Sequence, residues 1–345
     1  MSPRPARSKD FDEFARRSLF VAALVVFGVL LWLLRGVLLL IFASVLLAIA
    51  IRTLALPFAQ RTALGMSAAI GVVVVLLVVI LSGTGLVLGA QLSDQLGELW
   101  TRLPEFAASA EQFIAQTSIG KTLVRLLPDS EQVFGGFTAG TALTAATTTL
   151  GVLANVLIVI FLGLFFAFTP NLYARGFVAL FPPAHRPRAE KVLADTATAL
   201  RGWLRGQFGA MVAVGVITWI GLLLLGVPLA LGLAFVAFLL EFVPVVGPIV
   251  AAIPAILVGL AESPTLGLWV ALLYIGIQQI EGFVLLPLLQ RWAVHLPPAM
   301  SLIGIIAFGV LFGWIGVLLA TPLMVATTVW VRDIYLESIL EPEKK

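Results

Sequence analysis

Residues 241–248 read Glu241-Phe242-Val243-Pro244-Val245-Val246-Gly247-Pro248, in the middle of an apolar run that opens at Gly226-Val227-Pro228 and closes at Ile253-Pro254. Pro244 and Pro248 lack amide donors and Gly247 admits positive φ, so a helix entering this stretch stops and the carbonyls before it lose their partners. A second run follows the same plan: His295-Leu296-Pro297-Pro298 leads through Phe312-Gly313-Trp314-Ile315-Gly316 to Thr321-Pro322. Paired, interrupted hydrophobic segments in two halves of a chain point to the binding region of a secondary transporter.

The composition agrees with a membrane protein. Of 345 residues, 61% are hydrophobic and 11% charged, against roughly 25% charged in a soluble domain. A bilayer accepts such a surface if backbone groups pair within helices. The expected fold is therefore all-α: a polytopic membrane protein with about six full crossings, two re-entrant helical hairpins of opposite orientation, and a small extracytoplasmic helical subdomain. The absence of cysteine excludes disulfides and thiolate metal sites. His185 and His295 are too few for a zinc site, and neither a metal nor a cofactor is expected. The net charge of +3 sits at segment ends, which speaks of membrane orientation and not of nucleic acid. The first apolar run lacks a small-residue cleavage site and is read as retained.

Along the chain, residues 1–18 form a basic cytoplasmic tail and 19–90 hold N-terminal transmembrane helices. Runs 19–34 and 37–51, parted by Arg35-Gly36, read as two short crossings, because one helix over both would span about 50 Å against a hydrocarbon core of about 30 Å. Residues 91–145 mix acids with Leu92, Leu96, Leu99 and Leu103 at helical spacing, as expected of an amphipathic subdomain outside the bilayer. A transmembrane helix occupies 146–169 and a basic amphipathic cytoplasmic helix 170–206. The crossing-plus-hairpin unit 207–260 is repeated upside down in 266–331, before a cytoplasmic tail at 332–345. With this layout all Lys and Arg except Arg35, Arg102, Lys121 and Arg125 lie on the cytoplasmic side, and both termini are cytoplasmic.

Two acids stand apart from the other sixteen: Glu241 and Glu281 lie inside apolar segments. A charge at the bilayer centre costs about 2.5–3.5 kcal/mol on insertion scales, so such groups face a polar cavity or carry a proton. Glu281 follows Gln278 and Gln279, and residues 278 and 281 share a helix face, offering an amide and a carboxylate to one solute or ion. The competing reading is that they bond neighbouring helices and hold the bundle together. Glu241, three residues before Pro244, reads equally as a proton or cation site at the hairpin tip or as a water-exposed turn residue. Pro244, Gly247, Pro248, Gly313, Gly316 and Pro322 are the candidate break or gate residues, and freed carbonyls near them could coordinate cations. No nucleophile stands beside a base and no phosphate loop is present, so an enzyme is not expected.

Taken together, Phe242-Val243-Pro244-Val245-Val246-Gly247-Pro248, Gln278-Gln279-Ile280-Glu281-Gly282 with Pro287, and Leu296-Pro297-Pro298 followed by Gly313-Trp314-Ile315-Gly316 and Ala320-Thr321-Pro322-Leu323 resemble the autoinducer-2 exporter (AI-2E) family of bacterial membrane proteins. The sequence departs from that pattern at Phe283, where the family often has Asn. The resemblance implies export of a small polar solute such as a quorum-sensing signal, or exchange of a monovalent cation for protons. It also implies an inner-membrane location and a homo-oligomer, with a pentamer as the suggested form. The spacing by itself leaves open a channel-like pore in a homo-oligomer and a non-transporting membrane scaffold.

Overall fold

A computed structural model describes residues 7–62, 64–115, 142–285, 287 and 298–333. Expectations for 1–6, 116–141, 288–297 and 334–345 lie outside the described residues. Among those described there is no strand, and the chain is an all-α polytopic membrane protein. Its helices are α1 (Arg7–Leu33), α2 (Arg35–Arg61), α3 (Met66–Ala115), α4 (Ala142–Phe168), α5 (Pro170–Ala179), α6 (Arg186–Leu224), α7 (Ala230–Leu240), α8 (Val246–Glu262), α9 (Pro264–Ile280), α10 (Pro298–Leu318) and α11 (Ala320–Val331). A 3-10 turn at Pro183–His185 precedes α6, and a π turn at Glu281–Leu285 continues α9.

Five helical stretches among the described residues are long and apolar enough to cross a membrane: Arg35–Arg61, Gly151–Phe168, Pro183–Leu224, Pro264–Leu285 and Ala299–Leu318. The last is an arm of the second broken segment, which Gly313 interrupts at φ 68° and ψ −152°. Both broken segments fold back on themselves. Leu240 and Gly247 lie against each other in the first, and Phe308 and Gly316 in the second. A methyl group at Gly247 would collide with the Leu240 carbonyl, and one at Gly316 with the Phe308 carbonyl, so glycine is what lets each returning arm touch the outgoing backbone. Gly304 packs on Met324 further down, which places the apex of the second hairpin at Gly313.

The first apex is built differently. Val245 has φ 71° and ψ −54°, and the Val246 amide donates to the Pro244 carbonyl at 2.8 Å. That is a γ-turn of the rare, strained hand, here on a β-branched residue. Positions of this kind cost about 1–3 kcal/mol and persist only where the surroundings impose them. Pro248 and Pro322 do not make the breaks: each sits in the first turn of the returning helix, α8 or α11, where a missing amide donor costs nothing.

The tip of the first hairpin meets the arms of the second. Val243, Ile305 and Ala320 form a buried cluster with Phe242, Val246, Phe308, Val317 and Leu318 around it. Phe242 also stacks edge-on against Trp203 of α6, with ring centroids 5.6 Å apart. At the open end of the first hairpin, Leu99, Leu103 and Phe106 of α3 pack against α7 and α8, and the Gln95 side chain accepts from the Gly232 amide at 2.9 Å. Gln95 thereby caps one of the four orphan donors at the start of α7.

Three expected boundaries are corrected by this packing. No break separates 90 from 91: α3 runs unbroken to Ala115, and the apolar stripe of the proposed subdomain covers the first hairpin. At about 1.5 Å per residue α3 is roughly 75 Å long, so much of it projects beyond the bilayer. The region 170–206 is not one helix, because α5 ends at Ala179 and α6 runs through the 206/207 boundary to Leu224. The third correction concerns the N-terminus. Leu34 and Leu38 donate to Leu30 and Leu34 at 2.9 Å each, so the i→i−4 ladder passes through Leu34. Neither Arg35 nor Gly36 deprives the backbone of a donor, and α1 and α2 form one kinked rod where two antiparallel crossings were expected. The charge count that placed both termini on one side assumed that reversal.

Spin labels at Val21 and Ile49 distinguish the two forms. The rod separates them by about 40 Å at 1.5 Å per residue, whereas a reversal at Arg35-Gly36 would bring them to within about 10 Å, the spacing of packed helices. A dipolar distance above 30 Å is the expected result (roughly, allowing for the kink).

Candidate functional site

Chain breaks inside apolar surroundings free carbonyls, and both tips satisfy one with a side chain from another helix. At the first tip, the Gln207 amide on α6 donates to the Glu241 carbonyl at 2.6 Å. At the second, the Arg35 guanidinium at the start of α2 donates to the Leu311 carbonyl at 3.4 Å. Arg35 also lies over the Trp32 ring, 4.1 Å from its centroid. These two carbonyls, which the sequence left available to a cation, are thus engaged by protein donors.

The stop at Val243–Val245 leaves Glu241 as the C-cap of α7, tucked between the tip and α6. Its side chain is 1% exposed. Glu281 closes α9 at the point where the helix widens into its π turn, a local form frequently found at functional sites. The two acids that the sequence singled out separately are brought together here, with their carboxyl groups in interaction range. Gln278 donates through Nε2 to Glu281 Oε2 at 3.0 Å, as the shared helix face predicts. Oε2 of Glu241 has no hydrogen-bond partner among the described residues. Gln279 is exposed and no described contact joins it to the pair.

Electrostatics limits what such a pair can do. Two like charges 4 Å apart repel by about 4 kcal/mol at an effective dielectric of 20, and no Lys or Arg is hydrogen-bonded to either carboxyl among the described residues. Facing carboxyls in this setting are stable when a proton or a cation lies between them. The arrangement is therefore suited to taking up and releasing a small cation. Gly247 and Gly316 bring the returning arms close, Pro244 and Gly313 lie at or beside the apices, and Pro248 and Pro322 start α8 and α11.

Sequence reasoning missed Gln207 and Arg35. Gln207 begins an apolar stretch and reads as its polar boundary; the signal that could have found it is an amide on the segment preceding a break that frees carbonyls. Arg35 reads as a turn between crossings, and only the distant Leu311 carbonyl gives it a role.

Comparison with known proteins supports the same class. The model of a family described as "AI-2E family transporter" matches residues 21–336. Three relatives share the printed name "Putative transport protein": YueF of Bacillus subtilis, 31% identical over 42% of this chain and 39% of its own length; MT0215 of Mycobacterium tuberculosis, 34% identical over 54% and 50%; and YhhT of Escherichia coli, 26% identical over 83% and 81%. The chain thus spans half or less of the length of the first two relatives and most of the third.

A double-mutant cycle tests the contact between the acids. Glu241→Gln and Glu281→Gln, melted singly and together in detergent, are expected to be non-additive by about 0.5–3 kcal/mol, as for residues in direct contact. Additive effects would separate the two carboxyls.

Proposed function

We propose, from the premise that this chain belongs to the AI-2E transporter family, that it is a secondary transporter whose coupling site is the Glu241–Glu281 pair. Its cargo on this reading is a small polar solute such as a quorum-sensing signal, moved outward, or a monovalent cation exchanged for protons. One observation carries the proposal: the tip of the first hairpin meets the arms of the second beside two facing carboxyls that lack a cationic partner among the described residues. Binding of a cation or proton between the carboxyls offsets their repulsion, and its release restores it. That change in local charge acts at the place where the two hairpins touch.

The moving unit is 207–260 with 266–331. One crossing, α9, separates the hairpins, so they enter from opposite faces and gate opposite sides, a reading supported by the contact of the first tip with the arms of the second. Gln278 and Glu281 hold the solute or ion, and Glu241 carries the proton. Asp333, at the end of the second hairpin, accepts through its carbonyl from Arg188 of α6. The basic residues of 170–206 and the end of α11 therefore share one face, which the positive-inside tendency makes cytoplasmic. The reading includes a homo-oligomer in the bacterial inner membrane.

Glu281→Gln is expected to abolish transport or uncouple it from protons in proteoliposomes, while the protein still folds and melts cooperatively. Wild-type flux and coupling in that variant would remove Glu281 from the mechanism.

A further inference from the structure

Two arginines meet where the apolar part of the bundle ends, and nothing above uses them. Arg52 of α2 donates through Nη1 to the Ala167 carbonyl at 2.7 Å, one residue before α4 closes at Phe168. About a turn earlier Leu47 packs on Gly163, so α2 and α4 run in parallel toward the same face. The stretch of α4 that is long and apolar enough to cross a membrane ends at Phe168, which sets Arg52 at the depth of the membrane boundary. Arg201 and Arg205 of α6 stand just before the apolar stretch of that helix, and so at the same boundary.

Register brings the guanidinium groups together. The chain turns back through α5 after α4 ends, so α6 runs antiparallel to α2. Ile49 of α2 and Leu204 of α6 belong to one apolar cluster between these helices. One turn on from Ile49 is Arg52, and one turn back from Leu204 is Arg201, which places the two arginines opposite each other. They lie within electrostatic range. Arg52 spends one arm of its fork on Ala167, while Arg201 and Arg205 have no hydrogen bond or ion pair among the described residues. Like charges held side by side with no carboxylate between them call for an anion. Arg52 and Arg201 each keep part of their surface exposed, so an anion can reach both from outside the bundle.

The surface of α6 indicates which anion. From Arg201 and Arg205 the same face continues at helical spacing through Phe208, Val212, Val216 and Trp219, all exposed and apolar. A cationic head at the boundary followed by an apolar stripe leading into the membrane matches a phospholipid better than a soluble anion. Arginine forks bind phosphate in bidentate fashion, and basic pockets between transmembrane helices on the cytoplasmic side take anionic headgroups. We infer that Arg52 and Arg201, with Arg205 beside them, bind the phosphate of an anionic phospholipid whose acyl chain lies along Phe208 and Val212. A zwitterionic lipid brings its own cation to the pair and binds less well. Gln207, which holds the first tip, follows Arg205 by two residues, so the headgroup steadies the part of α6 on which that tip depends.

Protein purified in detergent is titrated with phosphatidylglycerol, phosphatidylcholine or inorganic phosphate, and the retained lipid is read by native mass spectrometry beside the melting temperature. Wild type is expected to hold phosphatidylglycerol about tenfold better than phosphatidylcholine, an order of magnitude set by basic residues near an anionic headgroup. Arg201→Gln breaks no described bond and is expected to lower that preference about fivefold. Arg61→Gln, at the exposed end of α2, is expected to leave it unchanged. Melting adds a readout that a merely structural arginine would not give. Without added lipid, Arg201→Gln melts at or above wild type because one of two repelling charges is gone; with phosphatidylglycerol the order reverses. No preference in wild type, or the full preference kept in Arg201→Gln, overturns the proposal. An equal response to inorganic phosphate also overturns it, assigning the pair to a soluble anion. Neither readout involves transport, so the result is independent of the coupling site.

Discussion

Every departure from helix in an apolar medium must find new partners for the backbone it frees, and this chain departs twice near its centre. The first hairpin is held by Gln207, which reaches from α6 to the Glu241 carbonyl, and the second by Arg35, which reaches from α2 to the Leu311 carbonyl. The bond from Gln207 lets the first tip end within an apolar bundle, whereas the bond from Arg35 lies at an exposed tip. Around them the side chains do the rest: Phe242 against Trp203, and Val243 against Ile305 and Ala320. With the tips pinned, Glu241 is drawn under the first apex and faces Glu281.

The hairpins share a plan and differ in chemistry. Each uses one positive φ at or beside its apex and one glycine on the returning arm to approach the outgoing backbone. At Gly313 the positive φ is free of steric cost; at Val245 it carries strain. The strained apex is the one that holds the acid. A tip stabilised by its surroundings, and not by its own backbone preference, is the one more readily released when those surroundings change.

Much of this was legible in the sequence. The apolar runs gave membrane helices, the Pro and Gly clusters marked both breaks, and the isolation of two acids among apolar residues singled out the pair that the fold brings together. The stripe Leu92, Leu96, Leu99 and Leu103 announced an amphipathic helix, yet not that its apolar side would cover the first hairpin. What remained hidden depended on long-range geometry. Glu241 and Glu281 are forty residues apart, and their meeting depends on where the first hairpin's tip falls against the end of α9. The boundary at Arg35-Gly36 misled for a local reason: an arginine and a glycine weaken a helix without interrupting its ladder, which still carries through Leu34.

The central claim is that the first tip meets the arms of the second hairpin beside the acids when the site is closed and leaves them when cargo moves. Cysteines introduced at Val243 and Ala320, which share one buried cluster, would join the two hairpins on oxidation. The account predicts that lithium or sodium flux into proton-loaded proteoliposomes stops when the cross-link forms and returns on reduction. Undiminished flux through a fully cross-linked protein would contradict it.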